Sequence, residues 1–317
     1  MFDRDALIEA ARLVYRHLPP TPQYAWPLLG RRVGADVWVK HENHTPIGAF
    51  KVRGGVVFAD RLKRARPDVA GIVSATRGNH GQSLAFAARK IGLRATICVP
   101  VGNSVEKNAA MRALGAELVE HGEDFDAARE RAQDLARERG LHMVPSFHPD
   151  LVLGVATYAR ELYEAAPDLD TVYCPIGLGS GISGLVLVRD LMGLKTKVVG
   201  VVAAGAPTYA HSYRAKRAVP TNAAKTLADG MAVRIPDERA LDIMLKGVER
   251  MVEVTDAEIG AAMRALYEDT HNLAEGAGAA ALAALMQERD RQKGKKVAVV
   301  LSGGNIDRAL YLEILRG

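Results

Sequence analysis

Four short stretches of the 317-residue chain carry residue types that can do chemistry. The first runs from Lys40 to Gly55, K-H-E-N-H-T-P-I-G-A-F-K-V-R-G-G. A strand over Asp36 to Lys40 leads into a polar turn, Asn43 to Gly48, and Phe50-Lys51 opens an amphipathic helix. Lys51 thus stands at a strand-to-helix junction, the carboxyl end of a strand, where ligands of open α/β folds bind. A lysine there that is partly desolvated loses its proton and can attack an aldehyde to form a Schiff base; the same lysine in water is an ordinary surface residue. The second stretch, Thr76-Arg77-Gly78-Asn79-His80-Gly81-Gln82, is another such junction. In the third, Pro175 to Gly184, the turn Gly177-Leu178-Gly179-Ser180-Gly181 offers backbone N–H groups and a helix N-terminus to a phosphate. Glycine turns also serve nucleotides or merely make tight bends. The fourth, Ser302-Gly303-Gly304-Asn305, follows the last strand.

The elements that must position these stretches alternate. After an amphipathic helix over 5 to 18, closed by Leu18-Pro19-Pro20, the pattern predicts strands over 71–75, 95–99 and 117–120. Helices follow each of them, to about Ile91, from the Ser104 cap to about Leu114, and over 125–139. From Pro145 the pattern restarts, with a helix near 152–164, strand 171–174, a helix to Leu191 and strand 198–203. A less regular stretch over 204–229, strand 250–255 between two helical stretches, and strand 297–301 before a last helix complete the chain. Alternation of this kind predicts an α/β fold with a parallel sheet covered on both faces.

Composition is that of an ordinary globular protein, 48% hydrophobic and 25% charged. No apolar run reaches the roughly 18 residues of a membrane span, and M-F-D-R-D is no secretory signal, so a cytoplasmic protein with no membrane partner is expected. The formal charge of +5 and pI of 9.2 do not point to nucleic acid, because Lys and Arg are interleaved with Asp and Glu and the cluster Lys293 to Lys296 has no aromatics beside it. Cys98 and Cys174 lie in apolar strands and read as buried thiols.

Taken together and in this order, the four stretches resemble the motifs of the fold-type II pyridoxal-phosphate enzymes, the threonine/serine dehydratase (ammonia-lyase) and serine racemase family. The first is close to that family's P-T-G-S-F-K-x-R-G, and the resemblance covers nearly the whole chain. It implies a tryptophan synthase β-like architecture of two open, twisted, mostly parallel sheets flanked by helices. It also implies a small domain of 50–145 inserted into a large one of 1–49 and 146–317, and a homodimer; because the sequence stops just after the last motif, no C-terminal regulatory domain is expected. The implied cofactor is pyridoxal 5'-phosphate, carried by Lys51 as a Schiff base. Gly177, Leu178, Gly179, Ser180 and Gly181 would hold its phosphate, with Leu178 turned away. Asn79 matches the residue on the 3-hydroxyl oxygen and can equally be a helix cap; Phe50 matches the one packed on the ring and can equally be a core aromatic. Ser302 matches the partner of the pyridine nitrogen. Thr76, Arg77, Gly78 and His80 belong to the substrate turn, where His80 reads as a structural partner rather than an acid or base. No metal site carries over, since Gly200 to Ala203 lacks the carboxylate of metal-activated relatives.

The reaction so implied is β-elimination from a β-hydroxy amino acid, giving a 2-oxo acid and ammonia, with Lys51 removing the α-proton. Serine rather than a carboxylate at 302 leaves the ring nitrogen unprotonated and favours elimination. A racemase, a β-replacement synthase and a non-catalytic cofactor-binding protein remain as alternatives. Arg77 departs from the family, which has a serine there that exchanges a proton. A guanidinium stays protonated far above pH 7 but grips a carboxylate bidentately. It predicts weak or absent racemase activity and a substrate with a second carboxylate, such as 3-hydroxyaspartate, unless Arg77 turns to solvent or pairs with a nearby acid.

Overall fold

The Val-rich runs late in the chain are buried on both faces, as strands of a parallel sheet covered by helices on either side must be. The structure, a computed structural model, describes residues 1–317. Its strands are β1 (Gln23–Ala25), β2 (Asp36–His41), β3 (Gly71–Ala75), β4 (Arg94–Val99) and β5 (Glu117–Glu120), then β6 (His142–Met143), β7 (Thr171–Pro175), β8 (Lys197–Ala203), β9 (Arg250–Val254) and β10 (Lys296–Leu301). They form a six-stranded sheet, β1-β2-β10-β7-β8-β9, and a four-stranded one, β5-β4-β3-β6. Every pairing is parallel except that of β1 with β2. The two mostly parallel sheets implied by the family resemblance are therefore both present.

The chain divides into two compact units, residues 1–19 with 45–155, and residues 20–44 with 156–317. In the first, the period-two alternation of β3 and β4 separates two apolar layers. Ile72 and Ile97 pack with Phe58 and Leu62 of the helix Lys51–Ala65 and Leu84 of the helix Asn79–Lys90. Val73, Ala75 and Cys98 on the other face meet Ala128, Ala132 and Leu135 of the helix Phe125–Arg139. Side-chain caps set the starts of two helices here. Ser104 Oγ accepts from Lys107 N at 3.1 Å and Asp124 Oδ1 from Ala127 N at 2.9 Å.

In the second unit Tyr173, Val199, Val201 and Val299 lie under the helix Gly276–Gln287, whose small residues let it approach the sheet closely. The following strand-to-helix step is fixed by a capping box between Thr255 and Glu258 at the start of the helix Asp256–Thr270. No helix is long and apolar enough to cross a membrane. Both cysteines are free and buried, and burial pushes their thiols up to about 11 at Cys98 and about 12 at Cys174.

Several elements differ from the sequence expectation. The first helix ends at Val14 rather than 18, its last turns replaced by 15–17 before the prolines. Strands β1 and β6 are too short to show a period, and the helix Pro27–Val33 spans only two turns. The helix Gly276–Gln287 has no polar face, so it carries no amphipathic signal. The irregular stretch 204–229 contains the helix Thr208–Ala215.

Candidate active site

Lys51 is the first residue of its helix, and Phe50 directly before it is the N-cap. The junction is built locally: Thr45 Oγ1 accepts from Ala49 N at 2.9 Å and donates to Ala49 O at 2.8 Å, closing the turn that delivers Phe50. Lys51 Nζ lies 5.2 Å from the centre of the Phe50 ring. Burial lowers the Lys51 ammonium from 10.5 to about 8, so a free amine is accessible near neutral pH.

The turn after β3 lies in the same unit. Thr76 N donates to Cys98 O at 3.0 Å and Thr76 Oγ1 accepts from Gly78 N at 3.2 Å, which bends the chain into the helix opened by Asn79. His80 is buried, and its Nε2 has no partner. Burial first, and then the charge of Lys51, lower its imidazolium to about 3. The ring is therefore neutral at working pH. Arg77 is exposed, and its guanidinium makes no hydrogen bond or ion pair.

Two residues near this turn escaped sequence reading. Lys107 is buried, and a Cβ on Gly78 would stand 2.7 Å from its Cδ and 3.6 Å from its Nζ. A side chain at position 78 would therefore have to displace the lysine stem. Ser83 donates to the main-chain carbonyl of Lys51. Neither has a motif signal, since both sit at ordinary helix positions.

The remaining stretches belong to the second unit. Gly177, Leu178 and Gly179 form the turn after β7, and Ser180 and Gly181 open the helix Ser180–Leu191. The glycines are required. A Cβ on Gly177 would lie 2.3 Å from Gly230 O, and Gly179 takes φ +102° with Met244 Cε 2.7 Å from where its Cβ would be. Ser302 follows β10, the parallel neighbour of β7, so it emerges at the same end of the sheet as the glycine turn. It is 5% exposed, and its hydroxyl bonds to no protein group. Glu275, also buried, was not anticipated. Its N–H donates to Gly303 O at 3.1 Å, and a Cβ on Gly278 would lie 2.2 Å from the same oxygen. The run E-G-A-G-A is the only sequence trace of that packing.

Each set of residues fits a part of pyridoxal phosphate. A lysine of lowered pKa suits its aldehyde. A turn with no room for side chains on its glycines, ending in a helix N-terminus, suits its phosphate. A buried hydroxyl without a protein partner suits its ring nitrogen. A protein with these groups at the ends of parallel strands belongs among enzymes that use this cofactor. The comparisons agree: the chain belongs to the pyridoxal-phosphate dependent enzyme family, which matches residues 14–303.

Its fold is that of the fold-type II members. An L-threonine ammonia-lyase of Thermotoga maritima is 37% identical over 284 residues, 88% of this chain and 70% of the relative. An L-threo-3-hydroxyaspartate ammonia-lyase of Saccharomyces cerevisiae is 29% identical over 315 residues, 98% of this chain and 95% of the relative. The processed form of threonine deaminase isoform 2 from Solanum lycopersicum superposes with a TM-score of 0.91 at 28% identity, covering 99% of this chain and 94% of the other.

Proposed function

We propose that the protein is a pyridoxal-phosphate ammonia-lyase that removes water and then ammonia from a β-hydroxy amino acid of the threonine or serine type, releasing a 2-oxo acid. The observation that carries this reading is Lys51, a lysine at a helix start whose ammonium burial lowers to about 8. Binding a phosphate alone needs no such amine. Lys51 would hold the cofactor through its amine, and its Nζ would accept the α-proton of the substrate. The glycine turn 177–181 would hold the phosphate, with Leu178 turned away; Asn79 would meet the 3-hydroxyl oxygen, and Phe50 would pack on the ring. Thr76, Gly78 and the neutral His80 shape the turn that receives the substrate carboxylate. The bound cofactor supplies the electron withdrawal that makes the α-proton removable. Ser302 would offer the ring nitrogen a hydroxyl rather than a carboxylate, which favours elimination.

The functional small domain in this reading is 50–145, within a large domain of 1–49 and 146–317. The protein works as a homodimer in the cytoplasm, where its two free cysteines stay reduced. Purified protein should be yellow and should release 2-oxo acid from threonine or serine. Borohydride should fix a pyridoxyl group on Lys51, and Lys51→Ala should lose the colour, the adduct and the activity together. A colourless protein that takes up no cofactor would sink the reading, and sedimentation showing only a 34.1 kDa species would remove the dimer.

A second reading, within the same reaction, is favoured by one observation. The substrate turn carries an exposed Arg77 whose guanidinium pairs with no acid of its own chain. That charge suits a substrate with a second carboxylate, such as 3-hydroxyaspartate.

A further inference from the structure

Tyr209 stands behind the glycine turn. It lies on the helix Thr208–Ala215 and is 2% exposed. Its hydroxyl donates to Leu178 O at 2.9 Å and accepts from Asp237 N at 3.0 Å. Asp237 in turn caps the helix Glu238–Gly247 through its side chain. One phenol oxygen therefore joins the turn, a helix and the cap of a second helix. Burial raises the phenol pKa, so the oxygen keeps its proton and remains a donor.

A trans peptide is planar, with its C=O and N–H pointing in opposite directions. Holding Leu178 C=O toward Tyr209 consequently aims the Gly179 N–H the other way, off the far side of the turn. The turn cannot slide back to undo this. The space where a Gly179 Cβ would stand is walled by Met244 Cε at 2.7 Å, Ala240 Cβ at 2.8 Å and Tyr209 Oη at 3.6 Å. A planar group pinned at its oxygen and backed by a wall has its donor direction set before any ligand arrives.

We propose that Tyr209 is a positioning residue for phosphate recognition: without touching the ligand, it orients the 178–179 peptide so that the Gly179 N–H is presented to the phosphate. The inference rests on the reading of 177–181 as the phosphate turn. Tyr158 provides the internal comparison. Its hydroxyl donates to Gly181 O at 2.9 Å, and it is fully buried. Gly181, however, lies within the helix Ser180–Leu191, whose own ladder already fixes that peptide.

The test uses Tyr209→Phe and Tyr158→Phe in the full chain, stripped of cofactor, each titrated separately with pyridoxal phosphate and with pyridoxal, which lacks the phosphate. The melting temperature of each variant is recorded alongside. Tyr209→Phe is expected to weaken pyridoxal phosphate about tenfold, the scale of one charge-assisted hydrogen bond, while pyridoxal binding stays as in wild type. Tyr158→Phe is expected to lower the melting temperature and leave the ratio of the two affinities at its wild-type value. The proposal is overturned if Tyr209→Phe weakens both ligands equally, leaves both unchanged, or is matched in selectivity by Tyr158→Phe. If Tyr209→Phe does not fold, Tyr209→Met is titrated instead. Its thioether can accept from Asp237 N but donates nothing to Leu178 O, so it should show the same selective loss; an unchanged ratio overturns the proposal. Wild-type protein that binds the two ligands equally well would instead refute the phosphate turn itself, an outcome separate from all of these.

Discussion

The hydroxyl of Ser83 donates to the main-chain carbonyl oxygen of Lys51 at 2.6 Å, tying the helix Asn79–Lys90 to the first turn of the helix Lys51–Ala65. The contact is possible because residue 55 is glycine. A Cβ there would lie 2.3 Å from Ser83 Oγ and 2.9 Å from Ser83 O, so a change of side-chain rotamer alone could not relieve the clash. Gly55→Ala should therefore separate the two helices and cost about 1–3 kcal/mol as overpacking. Ser83→Ala, which removes one hydrogen bond and keeps the approach, should cost about 1 kcal/mol. Denaturant midpoints would rank the two, and the reverse order would show that the hydrogen bond matters more than the close approach.

The lowered pKa of Lys51 makes a prediction with a definite sign. Burial favours the neutral amine, so Lys51 is a protonated non-nucleophile below about 8 and a free amine above it, where an exposed lysine would wait until 10.5. In cofactor-stripped protein, the initial rate of borohydride-trapped reaction with pyridoxal should rise with a midpoint near 8. The unfolded chain holds this proton to higher pH than the folded one, so stability should also rise across the window from about 8 to 10.5. A trapping midpoint near 10.5 would mean that Lys51 is solvated.

How far the sequence could be read follows from what each residue depends on. Lys51, the glycine turn and Ser302 could be singled out because each follows a strand that a local pattern reveals, and because the four motifs in order resemble those of one family. Tyr209, Lys107 and Ser83 were not, because their roles come from contacts made across tens of residues. Tyr209 reaches back 31 positions to Leu178 and Ser83 reaches back 32 to Lys51. The helix Gly276–Gln287 was missed for a different reason. Buried all round, it has no polar stripe, and its glycines argue against helix until the neighbouring backbone that needs their space is seen.

Lys40 shows the same limit at the level of charge. In sequence it closes a strand; in the fold its Nζ is wholly buried, 2.6 Å from Glu161 Oε2, 2.8 Å from Thr21 O and 2.9 Å from Gln23 Oε1. Thr21 binds both carboxylates nearby, donating its N–H to Glu161 Oε2 at 3.2 Å and its hydroxyl to Glu42 Oε1 at 2.5 Å. Removing the ammonium strands these carboxylates in a site of low polarity. Lys40→Met should cost about 3–5 kcal/mol, and adding Glu161→Gln should recover part of the loss, because the second change discharges the group left behind. Denaturant titration of the single and double variants checks this, and full additivity of the two substitutions would rule out the coupling.

Arg77 offers the prediction that separates the two substrate readings. It is exposed and pairs with no acid of its own chain, so its guanidinium is available to a ligand at no cost of breaking an ion pair. An arginine that bonds a carboxylate makes charge-assisted hydrogen bonds of about 1.5–3 kcal/mol, enough to shift a substrate preference about tenfold or more. Arg77→Ser should accordingly lower kcat/KM for 3-hydroxyaspartate about tenfold or more while changing the values for threonine and serine little. The preference should also weaken with added salt in wild type, since an exposed guanidinium is screened. The measurement is kcat/KM for threonine, serine and the 3-hydroxyaspartate isomers in both proteins. If the ratio of acidic to neutral substrates does not move with the substitution, Arg77 only faces solvent, and a neutral β-hydroxy amino acid is the substrate.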